Sequence, residues 1–134
     1  MNKNLTNILY TMAMLGFISY FAYLKGWILT NFESISAKQA ENMLKNDQIV
    51  TLLDVRTIEE FKEGHLRYAR LIPLGELERN LHKLKDSKKK ILVYCQSGFR
   101  SVSASRILEK NGFMPLNIKG GMNDLSKTGL EVLK

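Results

Sequence analysis

A short apolar run, Ile91-Leu92-Val93-Tyr94, leads straight into the chain's single cysteine, and a helical pattern from Ser101 to Leu108 follows almost at once. That order, strand then tight loop then helix, constrains the chain more than any other stretch. A loop between a strand end and a helix start turns several backbone N–H groups inward, and the helix dipole adds positive potential there. A thiol held in such a place loses its proton more easily than a free one. Gly98 allows the tight turn, because glycine adopts positive φ without steric cost. Arg100 brings a permanent charge and a fork of donors to the rim. The loop from Cys95 to Arg100 is suited to hold a thiolate and an anion attached to it.

Composition bounds the rest. A chain of 134 residues, 45% hydrophobic and 25% charged, can bury one real core and carry an appendage. One cysteine cannot form an internal disulfide, so the fold needs no oxidising compartment. The net charge of +7 favours small anions or an acidic membrane surface. Aromatic-basic interleaving is missing, so nucleic acid is not an expected partner. Isolated His65 and His82, with no second cysteine, give no zinc-ligand spacing, and no metal is expected.

No residue from Asn4 to Leu24 is charged, and Lys3 and Lys25 flank the stretch. A helix of that length matches the apolar thickness of a bilayer, and Tyr20, Tyr23 and Trp27 gather where amphipathic rings prefer the interface. A cleaved signal peptide would need small residues before its cut site, and Met14, Phe17 and Tyr20 occupy the relevant positions. The expectation is an uncleaved anchor in residues 1–25, crossing the membrane through residues 5–24, then a linker over 26–31 and a folded domain over 32–134.

Within the domain, Ser36 with Gln39 and Thr57 with Glu60 form capping-box patterns opening two helices. Ile49 to Val55 is a continuous apolar run of the kind found in buried parallel strands. Arg70–Ile72 and Met114–Ile118 predict two more strands, and Leu74, Leu77, Leu81 and Leu84 predict a helix between Pro73 and Lys85. Alternating strands and helices imply an α/β domain with a parallel sheet. Ligands of such sheets sit beyond the carboxyl ends of the strands, where Cys95 lies.

Four residues separate Cys95 from Arg100. Cysteine phosphatases and arsenate reductases use a cradle one residue longer, which can wrap a tetrahedral oxyanion. The shorter loop resembles that of the rhodanese (sulfurtransferase) family. So, in order, do Asp54-Val55-Arg56, Glu59-Glu60-Phe61, Gly64-His65-Leu66, Ile72-Pro73 and Gly120-Gly121. The resemblance implies a five-stranded parallel sheet flanked by helices, and sulfur transfer through a persulfide on Cys95. It places Gln96, Ser97, Gly98, Phe99 and Arg100 around the outer sulfur, and calls for no cofactor.

The expected activity moves a sulfane sulfur from thiosulfate or a persulfide to a thiol or other thiophilic acceptor. A non-catalytic, membrane-tethered sulfur carrier or docking module, serving an acceptor protein, is the alternative. Asp54 and Arg56 are expected to support neighbouring loops through an ion pair or hydrogen bonds, with substrate contact as the alternative, and His65 to bond backbone rather than act as a base for Cys95. Lys83, Lys85, Lys88, Lys89 and Lys90 are expected to form a solvated turn, with attraction to acidic headgroups as the alternative. Reducing conditions and an acidic inner leaflet point the domain towards the cytoplasm.

Overall fold

The computed structural model describes residues 2–46, 49–87 and 90–134 and separates into two compact units, Met1–Thr30 and Asn31–Lys134. The first unit is one helix, α1 (Lys3–Leu24), whose 22 residues include none that is buried. At 1.5 Å per residue it is about 33 Å long, enough to span a bilayer's apolar core. Its apolar side chains point all round, with Met12, Phe17 and Tyr20 each more than half exposed. It is long and apolar enough to cross a membrane.

The second unit is an α/β domain. Its five-stranded sheet is parallel throughout, in the order β1 (Glu33–Ile35), β6 (Pro115–Ile118), β5 (Ile91–Tyr94), β2 (Thr51–Asp54), β4 (Arg70–Leu71). The five-stranded parallel sheet implied by the resemblance is present. The apolar runs read at Ile49–Val55 and Ile91–Tyr94 hold two of its three inner strands, β2 and β5, and every residue of β5 is buried. Alternation divides the core. Leu52, Leu92, Tyr94, Leu116 and Ile118 pack on one face with Ala40 of α2 (Ala37–Lys45). Leu53, Ile91 and Val93 pack on the other with Ala104 and Leu108 of α4 (Phe99–Lys110). Each such buried aliphatic side chain contributes about 2 kcal/mol of burial free energy.

Both capping boxes form. Ser36 Oγ accepts from Gln39 N at 3.1 Å while Gln39 Oε1 accepts from Ser36 N at 2.8 Å. Thr57 and Glu60 repeat the exchange at the start of α3 (Ile58–Glu63), which stops at Gly64. Three strands escape the sequence reading. β1 is short and buries only Ile35, so it carries no apolar run. β3 (His65–Leu66) pairs antiparallel with β7 (Val132–Leu133) in a separate two-stranded ladder, each strand too short for a periodic signal.

The helix expected over Leu74–Leu84 is instead two 3-10 segments, Leu74–Glu76 and Glu78–Leu84, the second kinked at Asn80 (φ −120°). Asn80 Nδ2 donates to Glu76 O at 2.7 Å, so a side chain takes a carbonyl that an α-ladder would use. Leu77 and Leu84 are still fully buried. Lys83, Lys85 and Lys90 are exposed, as a solvated turn requires; Lys88 and Lys89 lie outside the described residues.

Candidate active site

Cys95 follows the carboxyl end of the central strand β5 directly and is 1% exposed. The chain turns through Gln96, Ser97 and Gly98 and enters α4 at Phe99. Gly98 caps that helix with φ +101°, a left-handed conformation that favours glycine, and its N–H donates to Cys95 Sγ at 3.1 Å. Ser101 Oγ, one turn further on, lies 3.5 Å from the same sulfur. The sulfur therefore sits at the positive end of a twelve-residue helix with one backbone donor and one hydroxyl on it.

A distant segment fixes the loop from behind. Met122 N donates to Cys95 O at 2.7 Å and Asn123 N to Gln96 O at 3.1 Å, so the start of α5 (Gly121–Leu125) binds the loop's own carbonyls. Gly121 has φ +53°, and a Cβ there would overlap the Cys95 carbonyl oxygen. A Cβ on Gly98 would come within 3.2 Å of Gly120 N. Close backbone approach, with no side chain between, holds the turn.

Two arginines flank it. Arg56 lies beneath, 2% exposed, with Nε and Nη2 bound to the fully buried Asp54 carboxylate at 2.8–3.1 Å. Its remaining donors reach Gln96 Oε1 at 3.0 Å and Gly64 O at 2.7 Å, tying the loop to the end of α3. Gln96 Nε2 in turn donates to Asn123 Oδ1 at 2.7 Å. The guanidinium carbon of Arg56 lies 5.6 Å from the Tyr94 ring centre, and burial pushes the Tyr94 phenol up. The Asp54–Arg56 pair thus bonds both the Cys95 loop and the end of α3.

Arg100 is at the rim. Its Nη1 and Nη2 donate to the two oxygens of Glu60 at 2.7 and 2.8 Å. The guanidinium beside Glu60 holds that carboxyl down at about 2. Ser97 is exposed and Phe99 half-buried. His65 stacks on Phe61 with ring centres 3.6 Å apart and has Nδ1 2.8 Å from Phe61 O. Glu60, Ser101 and Asn123 are the partners that sequence reading missed. Glu60 was legible as a helix cap and within the Glu59-Glu60-Phe61 resemblance, but its pairing with Arg100 joins residues far apart in the chain.

A cavity of about 260 Å³ opens beside the loop, lined by Arg56, Glu60, Glu63, Gly64, Gln96 and neighbouring residues of α5 and β7. A larger, mostly apolar cavity of about 430 Å³ is lined by Leu44, Val50, Leu52, Leu66, Tyr68 and Leu130 among others, and includes no residue of the Cys95 loop.

Comparison with known proteins bears on this arrangement. The rhodanese-like domain family model matches residues 36–128. YrkF of Bacillus subtilis, provisionally named a sulfur carrier protein, is 34% identical over 96 residues, which are 71% of this chain and 51% of YrkF. This chain therefore spans about half the length of that relative. The thiosulfate sulfurtransferase PspE of Escherichia coli is 33% identical over 75 residues, 55% of this chain and 72% of PspE. A rhodanese-like domain protein from Staphylococcus aureus, solved by crystallography, superposes with a TM-score of 0.69 at 32% identity, covering 77% of this chain and 100% of that one. With the fold, the matched residues and sulfurtransferase relatives in agreement, the chain belongs to the rhodanese-like domain family.

Proposed function

We propose that this protein is a membrane-tethered sulfurtransferase that works through a persulfide on Cys95. The observation that carries the reading is the seat of the Cys95 sulfur, at the amino end of α4 with Gly98 N–H directed at it. The Cys95 thiolate attacks the sulfane sulfur of a donor. A new S–S bond forms at Cys95, the donor's own bond breaks, and the leaving group departs with the electron pair. The donor is a persulfide or thiosulfate. The loop from Gln96 to Arg100 then surrounds a terminal sulfur that carries negative charge, and backbone N–H groups stabilise it much as an oxyanion hole stabilises developing charge. An acceptor thiolate attacks that outer sulfur and frees the Cys95 thiolate, so the two half-reactions follow ping-pong kinetics.

Helix α1 is the proposed anchor, with the domain on the cytoplasmic side. Its apolar surface on every side, without a polar stripe, suits lipid better than the one-sided burial of a globular helix.

Intact mass of the full-length chain after incubation with sulfur donors tests the reading. Wild type should gain one sulfur atom and lose it to an added thiol, whereas Cys95→Ser should gain none. Sulfur transfer by Cys95→Ser at the wild-type rate would remove this cysteine from the mechanism. A chain that loads but passes sulfur to no small thiol would favour the carrier role that YrkF's name suggests. Protease added outside intact cells should spare the domain, and its digestion there would reverse the topology.

A further inference from the structure

Charge at the mouth of the site is arranged against anions. Arg100 is the loop's own cation, and Glu60 neutralises it through two bonds of 2.7 and 2.8 Å. Among the described residues lining the adjacent cavity, Arg56 is the one cation, and Asp54 already binds it through three contacts. The same cavity presents Glu60 together with a second carboxylate, Glu63. Each arginine is matched by an acid, and Glu63 is left over on the negative side.

That balance bears on which donor can deliver sulfur. In either case the Cys95 thiolate takes a neutral sulfur atom, and the donor's remainder leaves with the bonding pair. From thiosulfate the leaving group is sulfite, a dianion. From a persulfide it is a thiolate whose organic part can be neutral or cationic. A sulfite dianion leaving past Glu60 and Glu63 meets about twice the repulsion felt by a thiolate with a neutral organic part, and a thiolate with a cationic part leaves with no net charge.

Resting on the sulfur-transfer reading above, we propose that Glu60 and Glu63 select donors whose leaving group is a thiolate with a neutral or cationic organic part, so that it carries at most one net negative charge, and disfavour dianionic donors. The sulfur source is then a persulfide. Glu60 acts partly through Arg100, since removing its charge would release that guanidinium to face an incoming anion.

Four donors of graded charge test this on the full-length chain in nonionic micelles at low ionic strength: the persulfides of cysteamine, mercaptoethanol and mercaptopropionate, and thiosulfate. The readout is the rate of sulfur addition to Cys95 by intact mass. For each donor the variant rate is divided by the wild-type rate, which cancels intrinsic reactivity. In Glu60→Gln the gain with thiosulfate should exceed the gain with mercaptoethanol persulfide by about two- to fivefold, a screened value for a partly exposed charge. Mercaptopropionate persulfide, a dianion that releases a dianion, should gain as thiosulfate does, and cysteamine persulfide, with no net charge, should gain least. The glutamine can still accept from Thr57 N, so the α3 cap survives. Glu60→Asp, which keeps the charge, should keep the wild-type order, and Glu63→Gln should shift it the same way but less. Added salt should flatten all these differences. Equal ratios across the four donors in both glutamine variants would overturn the charge selection while leaving sulfur transfer intact. A wild-type chain that takes sulfur from no donor would overturn the sulfur-transfer reading with it.

Discussion

Two ion pairs of the same chemistry flank the Cys95 loop at different depths. Asp54–Arg56 lies beneath it, with side chains 0% and 2% exposed, and the Arg56 guanidinium donates to Asp54, Gln96 and Gly64. Glu60–Arg100 lies at the rim, with side chains 28% and 35% exposed. Depth decides what a bidentate arginine can do. The buried pair is costly to desolvate and is held by bonds into three segments, so its value lies in fixing positions. The rim pair is screened by water and contributes little to stability, which leaves its charge available to act on whatever approaches the loop.

Removing one member of each pair tests that contrast, and the largest effect belongs below. Arg56→Ala strands a buried carboxylate and should cost about 3–5 kcal/mol in urea denaturation. A loss under about 1 kcal/mol would mean that water reaches Asp54 and that the pair is not structural. Gly121→Ala comes next. Its Cβ would collide with the Cys95 carbonyl, and separating the two segments should cost about 2 kcal/mol and slow alkylation or sulfur loading of Cys95. Unchanged loading would detach the loop's geometry from α5.

At the rim, a double-mutant cycle on Glu60→Gln and Arg100→Met should give a coupling of about 0.2–1 kcal/mol. A coupling as large as the Arg56 effect would erase the distinction between the pairs. The smallest effect is acid sensitivity. Because Arg100 holds Glu60 at about 2, below its unfolded value of 4.5, the stabilisation is complete above the unfolded value and is lost as pH falls through about 2. Thermal midpoints measured over that interval should therefore fall more steeply for wild type than for Glu60→Gln.

Local pattern and contact distance explain what the sequence could reveal. β2 and β5 are legible because strands buried on both faces read as unbroken apolar runs. β3 and β7 are not, since two residues make no period. The kink at Asn80 depends on one side chain capturing one carbonyl, and a leucine pattern is silent on that. The Cys95 loop is contiguous, so its composition announces it. Its partners are not: Arg100 meets Glu60 across 40 positions and Gln96 meets Asn123 across 27. Glu60 also satisfies a complete local motif, which gives no reason to look for a second role.

The pairing of β1 with β6 has a consequence for how the chain reaches this state. Ser34 lies beside Asn117 in the finished sheet, so the domain's first strand must wait for its last parallel strand before it finds a neighbour. A ribosome delivers β2, β4 and β5 in between, and the Gly120–Asn123 segment that locks the thiol loop arrives later still. Closing so long a loop before any contact repays it makes folding slow and late. For that interval, until the last quarter of the chain has been translated, the cysteine is made but not yet enclosed.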